Sequence, residues 1–427
     1  MGAKRERYTP NDVGPSPLEW SAPRLSEVST LITNGFVGTA TPFYTDSTGI
    51  PYLYGTNVRA NKLELDDVRY ITKEFHEAQS KTALKSGDLL TVQSGHIGET
   101  AVVTSQLDGS NCHALIVTRL KKEKAYPEFL SYYINSEIGR ARMKGLEVGS
   151  TILHINTKDL KKFRVLLPSI PEQKKIAQIL STWDKAITTT EQLLANSQQQ
   201  KKALMQQLLT GKKRLLDKNG VRFSGEWREC LVEDFFDVGS SKRVLQKDWQ
   251  FEGVPFYRTR ELVSLSKNEP FRSEIFISEE LFSDLSEKYG CPQEGDFLVS
   301  GVGTLGISYQ VKNGDRFYFK DGNVLWFKIK AGVHSDFFRY SFQSDFMQDQ
   351  ITAQASVTTV GTFTIKNAKK TKFLCPPSVD EQQKIAAVLS AADQEITTLQ
   401  QQLAHLQQEK KALMQQLLTG KRRVNIN

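Results

Sequence analysis

A glycine-rich segment of the chain, Gly301-Val302-Gly303-Thr304-Leu305-Gly306, fits the G-x-G-x-x-G pattern of nucleotide-binding loops. Such a loop binds phosphate when a helix follows at once, because the helix N-terminus supplies the backbone amides. The residues that follow, ISYQVKNGDRFYF, are typical of strand and turn. The related segment in the first half of the chain has Gln93 where Gly301 stands, so only G-x-x-G is common to both. The pattern therefore favours a tight turn between strands over a dinucleotide site.

Other motifs of nucleotide and nucleic-acid chemistry are also incomplete. The lysines of Gly211-Lys212-Lys213 and Gly420-Lys421-Arg422 lack the phosphate loop that a Walker A motif needs. Glu172-Gln173-Lys174 resembles the [DE]-x-K element of Mg²⁺-dependent nucleases, but its repeat is Glu381-Gln382-Gln383. Pro376-Pro377 is followed by serine, not by the aromatic residue of an amino-methyltransferase. We therefore expect no catalytic site and no metal on this chain.

The cysteines, the histidines and the overall charge further narrow the class of protein to which this chain could belong. The histidines have neither HExxH nor deaminase spacing, and the cysteines form no C-x-x-C pair, which favours a reducing cytoplasm over a zinc or disulfide framework. The formal net charge of +8 suits a polyanionic partner. Neither a signal sequence nor an apolar run long enough to span a bilayer is present, so no membrane association is expected.

An internal repeat organises the whole chain. PSIPEQKKIAQILSTWDKAITTTEQLLANSQQQKKALMQQLLTGKKR, from Pro168, recurs without gaps as PSVDEQQKIAAVLSAADQEITTLQQQLAHLQQEKKALMQQLLTGKRR, from Pro377. More loosely, Glu19-Trp20 matches Glu226-Trp227, and Gly87-Asp88 matches Gly295-Asp296. Shared glycines among unshared neighbours indicate one backbone that displays two different surfaces.

The repeated segments predict long helices that pair as a coiled coil. Prolines precede each segment and Gly211 or Gly420 follows it. A heptad seam runs for about five heptads through each, and at ~1.5 Å per residue a helix of about 40 residues would be ~60 Å long. The seam positions are Ile176, Leu180, Trp183, Ile187, Thr190, Leu194, Ser197, Lys201, Leu204 and Leu208, and in the repeat Ile385, Leu389, Ala392, Ile396, Leu399, Leu403, Leu406, Lys410, Leu413 and Leu417.

The intervening regions are typical of mixed α/β structure. DLLTVQSG, TAVV, ALIVTRL, DFLVSG, ISYQV and NVLWFKIK have the composition of strands, and YPEFLSYYINSEIGRARMKG that of a helix. LLDKNGVRFSGEW favours a linker. We predict an α+β chain of four parts: a first globular region (1–166), a central helix (167–214), a second globular region (215–374) and a C-terminal helix (375–427).

This layout resembles the specificity subunit of type I DNA restriction-modification enzymes. The resemblance covers essentially the whole chain and is carried by LLPSIPEQKKIAQILS and CPPSVDEQQKIAAVLS, each followed by KKALMQQLLTGK. It implies two tandem target recognition domains joined by two antiparallel coiled-coil helices with an internal pseudo-twofold, each domain reading half of a split, asymmetric DNA sequence. It also implies that this chain has no catalysis of its own.

The resemblance further implies the partners and cofactors of the assembled enzyme. The partners are double-stranded DNA, two methyltransferase subunits docked on the helices, and restriction motor-nuclease subunits. S-adenosylmethionine, ATP and Mg²⁺ are then expected on those partner subunits and none of them on this chain.

Candidate DNA contacts are residues able to bind phosphate or base edges near the expected turns and domain exits. In the first domain they are Arg59, Asn61, Lys62, Gln93, Ser94, His96, Thr151 and His154. In the second they are Lys242, Arg243, Arg258, Thr259, Arg260, Ser300, Thr304, Thr358 and Thr359. Candidate methyltransferase contacts are the basic residues repeated on the helices: Lys201, Lys202, Lys212, Lys410, Lys411 and Lys421.

Two other classes of protein remain open at this point. A coiled-coil adaptor whose globular regions bind protein would form a fixed assembly without salt-sensitive DNA affinity. An autonomous DNA-binding regulator would bind DNA tightly without any methyltransferase. A single-chain restriction-methylation enzyme would require catalytic motifs that we do not find in the sequence.

Overall fold

The computed structural model describes residues 8–9, 16–149, 153–267, 269–271, 273–355 and 361–426. Contacts divide the chain into two compact units. The first unit comprises Met1–Glu191 with Gln401–Asn427, and the second unit comprises Gln192–Gln400. Each unit therefore contains one globular region and a part of both long helices.

The first globular region contains twelve strands and four short α-helices among its described residues. The strands are β1 (Tyr8–Thr9), β2 (Ser16–Pro17), β3 (Ser29–Asn34), β4 (Tyr44–Thr45), β5 (Ile50–Leu53), β6 (Val58–Arg59), β7 (Lys62–Leu63), β8 (Arg69–Ile71), β9 (Leu89–Val92), β10 (Thr100–Val102), β11 (Asn111–Cys112) and β12 (Leu115–Leu120). The helices are α1 (Lys73–Ala78), α2 (Pro127–Asn135), α3 (Glu137–Lys144) and α4 (Thr157–Leu160), and the first long helix, α5 (Ile170–Leu208), follows.

The second globular region contains nine strands and six short α-helices among its described residues. The strands are β13 (Arg228–Leu231), β14 (Phe236–Gly239), β15 (Val254–Tyr257), β16 (Phe276–Ile277), β17 (Phe297–Ser300), β18 (Ser308–Gln310), β19 (Tyr318–Phe319), β20 (Val324–Ile329) and β21 (Lys372–Cys375). The helices are α6 (Val232–Phe235), α7 (Thr259–Ser266), α8 (Glu279–Tyr289), α9 (Ser335–Phe342), α10 (Asp345–Ala355) and α11 (Ile365–Lys370), before the second long helix, α12 (Val379–Leu417).

The two globular regions share one sheet topology. An antiparallel sheet has the order β10-β9-β12-β3 in the first and β18-β17-β20-β14 in the second. A second sheet contains one parallel pair in each region, β5 with β11 and β15 with β19. The α+β duplication expected from the repeated glycines is therefore confirmed.

The shared Gly-Asp pairs have a common structural role at the start of β9 and β17. The Asp88 carboxylate accepts a hydrogen bond from the Lys85 amide (2.8 Å), and the Asp296 carboxylate accepts one from the Gln293 amide (3.0 Å). The preceding glycines have positive φ, +89° and +88°, where a side chain would be strained. Each pair thus closes a tight turn before a buried strand.

One local prediction was wrong, and one pair of matching segments differs in structure. YPEFLSYYINSEIGRARMKG forms two helices, because Ser136 is extended (φ −65°, ψ 161°) and its side chain caps α3 by accepting from the Gly139 amide at 3.1 Å. The segment after β15 forms helix α7, whereas the matching segment of the first region forms the β6–β7 hairpin.

The coiled-coil seam is confirmed along both 39-residue helices. Every predicted seam position is buried or half-buried, including the polar Thr190 (5% exposed) and Ser197 (8% exposed). The helices stop shortly before Gly211 and Gly420, whose φ values of +69° and +70° suit glycine.

Within each unit the two helix segments are antiparallel and are held by matching ion pairs. In the first unit Glu172 is paired with Arg423, and Asp184 with Lys410. In the second unit Arg214 is paired with Glu381 (2.6 Å), and Lys201 with Asp393 (2.5 Å). As residue numbers rise on one helix they fall on its partner, so the expected antiparallel pairing is confirmed inside each unit.

Buried polar residues attach each globular region to its helices. The Gln173 side chain accepts from the Tyr126 amide (2.8 Å), and the Gln382 side chain accepts from the His334 amide (2.7 Å). The Tyr132 hydroxyl donates to Asp184, and the Tyr340 hydroxyl donates to Asp393 at 2.7 Å. Burial and the bond to Asp393 raise the pKa of Tyr340 to about 12, so the phenol stays a donor at neutral pH.

Candidate nucleic-acid interface

The G-x-x-G segments form the same turn in both regions, between β9 and β10 and between β17 and β18. Gly95 and Gly98 have φ of +79° and +78°, and Gly303 and Gly306 have +74° and +70°. The tip of each turn is open, because a Cβ added at Gly95 or Gly303 would meet nothing within 4 Å. These turns project a short exposed segment whose side chains differ between the regions.

A helix braces each turn from behind. A Cβ at Gly98 would lie 3.2 Å from the guanidinium of Arg140 on α3, and one at Gly306 would lie 2.9 Å from the side chain of Gln348 on α10. Nη1 of Arg140 is buried and has no hydrogen-bond partner among the described residues. Arg140 was not among the predicted contacts, since only the fold places it behind the turn.

A later segment of each globular region holds the other side of each turn. The Gln93 carbonyl accepts from the Ile155 amide, and the Gly301 carbonyl accepts from the Phe363 amide, both at 2.9 Å. Ser94 forms a β-bridge with His154, and Val302 forms one with Thr362. Thr151, Thr358 and Thr359, which we predicted to contact DNA, lie outside the described residues.

The predicted contacts at the turns divide into exposed and internal residues. Ser94, His96, His154 and Thr304 are exposed, and Gln93 is half-buried. Ser300 is fully buried, and its hydroxyl donates to the Thr304 carbonyl and accepts from the Ile307 amide (3.0 Å). The prediction for Ser300 was therefore wrong, because its hydroxyl is used to close the turn.

The β6–β7 hairpin places its predicted residues beside β10. Lys62 is exposed, and Arg59 is half-exposed with an ion pair to Glu64 at 3.3 Å. The side-chain carbonyl of Asn61 accepts from Ser131 (2.9 Å) and from Asn135 (2.8 Å). Asn61 also has φ of +65°, which asparagine tolerates better than most residues. Its carbonyl thus stabilises the hairpin, a role that the sequence did not indicate.

In the second region the predicted arginines form a cluster around two carboxylates. Arg258 and Arg260 both donate to Glu261 (2.8 Å each), which is 3% exposed, and Arg260 also pairs with Glu274 at 2.6 Å. The Thr259 hydroxyl is buried without a hydrogen-bond partner among the described residues. Arg260 keeps 60% of its side chain exposed, so it can reach a phosphate while a carboxylate orients it.

Replacing Glu261 by glutamine should make the stability of the second region depend less on pH under acidic conditions. Burial opposes ionisation of Glu261, but hydrogen bonds from Arg258 and Arg260 lower its pKa to about 2 from an ordinary 4.5. Since the folded pKa lies below the unfolded value, the carboxylate stabilises the fold above about pH 4.5 and this contribution is lost as the pH falls towards 2. The melting temperature of E261Q should therefore change less than that of wild type between pH 5 and about pH 2.5. Parallel plots of melting temperature against pH for the two proteins would refute this role of Glu261.

Lys242 and Arg243 lie on an exposed segment after β14. The Lys242 ammonium lies 5.1 Å from the centroid of the Tyr289 ring, and its amide donates to the Tyr318 hydroxyl at 3.1 Å. Arg243 is exposed. Both residues are placed where phosphate contact is possible, and that role stays a prediction.

The repeated lysines of the long helices fall into two sets. Lys201 lies over the Tyr340 ring and pairs with Asp393, while Lys410 lies over the Tyr132 ring and pairs with Asp184. These two are only 20% and 17% exposed, so our prediction that they contact a partner is replaced by an internal role. The other four, Lys202, Lys212, Lys411 and Lys421, are exposed.

The described residues were compared with the requirements of a membrane-spanning helix and of a metal site. No helix among them is both long and apolar enough to cross a membrane. No cluster of three or more histidine, cysteine, aspartate or glutamate side chains suited to a metal ion occurs in the same part of the chain.

The chain is similar to one family throughout. The Type I restriction modification DNA specificity domain matches residues 17–196 and again residues 224–408. A putative type I restriction enzyme specificity subunit of Methanocaldococcus jannaschii is 25% identical over 450 residues, covering 99% of this chain and 98% of the relative. A putative specificity subunit of Haemophilus influenzae is 29% identical over 165 residues, covering 37% of this chain and 39% of the relative. The crystal structure of an M. genitalium type I S subunit aligns with a TM-score of 0.57 at 14% identity, covering 93% of this chain and 96% of that one.

Proposed function

Because the chain belongs to the type I restriction-modification DNA specificity family, whose members recognise specific DNA sequences, we propose that it reads a split, asymmetric site. Each globular region would read one half of that site. In this proposal the first turn, with Ser94 and His96, faces the bases of one half-site. The second turn, with Thr304, faces different bases, those of the other half-site.

The observation that carries this proposal is the duplicated turn. Both regions share the order of the four-stranded antiparallel sheet, the positive-φ glycines of the turn and corresponding bracing segments, yet the exposed tips differ in residue type. A common frame fixes where each tip meets DNA, and unlike side chains present different donors and acceptors to base edges. Two unlike tips on one chain thus favour an asymmetric bipartite site.

Partner subunits would supply the chemistry. We propose that this non-catalytic chain positions two methyltransferase subunits, and through the complex the restriction motor-nuclease subunits. S-adenosylmethionine would bind the methyltransferases, whereas ATP and Mg²⁺ would bind the motor-nuclease. The net charge of +8 would assist association with the DNA duplex.

The test is to mix the purified chain with a type I methyltransferase subunit from the same genome and to map adenine methylation on randomised DNA. We expect a split motif to be methylated by the mixture and by neither protein alone. A stable complex without sequence-specific methylation would favour the adaptor alternative. Salt-sensitive, sequence-specific binding by the chain alone, without complex formation, would favour the autonomous regulator.

A further inference from the structure

The second sheet of the first globular region has one face that is only partly covered. Its strands lie in the order β11-β5-β8-β4, with Tyr52 opposite Arg69 and Tyr44 opposite Ile71. Side chains alternate between the two faces of a sheet, so these four residues share one face. Tyr52 and Ile71 are fully buried, whereas Tyr44 is half-buried and Arg69 is exposed. One part of this face is therefore core, and the other part is open.

Four side chains, one from each strand or its extension, meet on the open part of this face. The Tyr44 and Tyr54 hydroxyls are hydrogen-bonded, and the Tyr54 ring stacks on His113 with the ring centroids 4.8 Å apart. The guanidinium carbon of Arg69 lies over both tyrosine rings, 5.1 and 5.6 Å from their centroids. These four residues are called the open cluster below.

Internal packing accounts for Tyr52 in this sheet but not for Arg69. The Arg69 side chain is exposed and makes neither an ion pair nor a hydrogen bond among the described residues. A guanidinium whose face rests on aromatic rings keeps the N–H donors at its edge free. Arg258 and Arg260 of the second region, by contrast, donate to Glu261. Arg69 thus offers oriented donors that have no acceptor in the described part of the chain.

His113 is held in a position that supports Tyr54. The Tyr52 hydroxyl lies 3.2 Å from Nδ1 of His113, and the His113 amide donates to the Leu53 carbonyl at 2.8 Å. Burial lowers the pKa of His113 from its ordinary 6.5, so the imidazole is neutral at neutral pH. A neutral ring stacks on Tyr54 without repelling the guanidinium on the same tyrosine.

The open cluster adjoins the G-x-x-G turn of the first region. Ala114 follows His113 and has φ of +48°, which alanine rarely adopts. The next residue, Leu115, pairs with Val92 at the end of β9, directly before the turn. On the extension of β5, a Cβ at Gly55 would lie 3.5 Å from Cγ1 of Val92. The cluster therefore lies beside the segment that we propose to face DNA.

The second region keeps the buried part of this sheet and changes the open part. The buried pair of Ile50 with Ile71 recurs as Val254 with Ile277. By the registers of the same strands, three members of the open cluster have unlike counterparts: Arg258 for Tyr54, Ile275 for Arg69 and Lys320 for His113. A surface that differs on a shared frame is expected where each region contacts its own half-site.

We propose that Arg69 reads a guanine in the half-site of the first region, and that Tyr44, Tyr54 and His113 hold its guanidinium in place. This inference rests on the proposed function and adds one base contact with its chemistry. In the major groove, arginine donates two hydrogen bonds to O6 and N7 of guanine, a pair of acceptors that distinguishes guanine from the other bases. A guanidinium oriented before binding loses less conformational freedom when it binds.

Arg69→Ala in the full chain tests the contact, with methylation of randomised DNA by the chain and the methyltransferase subunit as the measurement. We expect wild type to prefer guanine at one position of one half-site, and the variant to lose that preference by roughly tenfold to hundredfold. The other half-site should stay unchanged, which makes it an internal control. Because Arg69 is exposed, melting curves of the variant should match those of wild type.

Two variants of Tyr54 test the positioning role of its ring. Tyr54→Leu removes the ring beneath the guanidinium and should weaken the guanine preference at the same position. Tyr54→Phe keeps the ring and should keep the preference. A general loss of stability would lower methylation of all sequences alike, so a change confined to one base position separates positioning from folding. An unchanged preference in Tyr54→Leu would overturn the positioning role.

Arg24→Ala is the matched control, since it removes an exposed arginine of the same region, beside Arg164 and shortly before α5; both half-sites should stay unchanged. A wild-type guanine preference in Arg69→Ala, or no guanine in either half-site, would overturn the guanine contact. Equal weakening on all sequences, with a salt dependence lower by about one charge, would also overturn it, because that result marks a phosphate contact. A wild-type mixture that methylates no split motif would overturn the proposed function, and the guanine contact with it.

Discussion

Replacing Arg214 by alanine is expected to destabilise the second unit by roughly 3–5 kcal/mol, the usual cost of leaving one member of a buried ion pair alone. Arg214 makes two hydrogen bonds, of 2.6 and 2.7 Å, to Glu381, which is fully buried. The same guanidinium also donates to the Ser224 and Gly225 carbonyls, so it ties the segment after α5 to the start of α12. Its removal leaves the buried Glu381 carboxylate unpaired, and the segment after α5 is no longer tied to the start of α12.

Differential scanning calorimetry suits this prediction because a chain with two compact units need not unfold in a single two-state transition. Lys213→Ala removes an exposed neighbouring charge and should change little. The corresponding Arg423→Ala should cost less than Arg214→Ala, since Arg423 is 43% exposed and Arg214 only 17%. The double variant Arg214→Ala with Glu381→Leu should recover part of the loss, because no charge is then left buried. Equal stability of Arg214→Ala and wild type would show that this pair does not hold the unit together.

We propose that the paired long helices act as a spacer that sets the separation of the two half-sites. Inserting one heptad into both helices is then expected to lengthen the unread gap between the half-sites by about three base pairs. Seven residues add ~10 Å of helix at ~1.5 Å each, and B-DNA rises ~3.4 Å per base pair. A heptad preserves the seam that buries Thr190 and Ser197, so the paired helices should still pack. Insertion sites near Glu191 and Gln400 leave the ion pairs at residues 172–184, 201–214, 381–393 and 410–423 intact.

Methylation mapping of the assembled complex checks the result, with both half-sites expected to keep their sequence. A heptad in only one helix serves as control, because it shifts the register of the pair and should abolish methylation. An unchanged gap in the doubly extended chain would refute the role of the helices as a spacer.

Much of this fold follows from local patterns in the sequence. The heptad seam is confirmed at every position, and the repeated Gly-Asp and G-x-x-G segments mark turns that both regions share. Backbone geometry explains this success, since positive φ at Gly95 or Gly303 restricts the residue type whatever surrounds it. The sequence also contains the repeated Glu-Gln pairs, but it does not reveal their role. That role depends on partners that only the fold brings close: Arg423 for Glu172, and the Tyr126 amide for Gln173.

Side chains whose role depends on distant partners could not be assigned from sequence. Lys201 and Lys410 resemble any solvated lysine until Asp393 and Asp184 are placed beside them. Ser300 has a side chain able to read bases, yet its hydroxyl completes a turn. Arg140 drew no attention because nothing in its local sequence indicates that it lies behind the glycine turn.

A chimaera in which both globular regions are the same tests whether each region reads one half-site. Residues 20–168 would be replaced by residues 227–377, with the junctions placed in corresponding segments. The contacts to the helices are retained, because Tyr340 replaces Tyr132 as a donor to the helix aspartate and the His334 amide replaces that of Tyr126. If each region reads one half-site, adenine methylation by the complex with the methyltransferase should move to a symmetric split motif, in which the second half-site occurs twice as an inverted repeat. Methylation that stays at the original asymmetric motif would contradict the assignment of one half-site to each region.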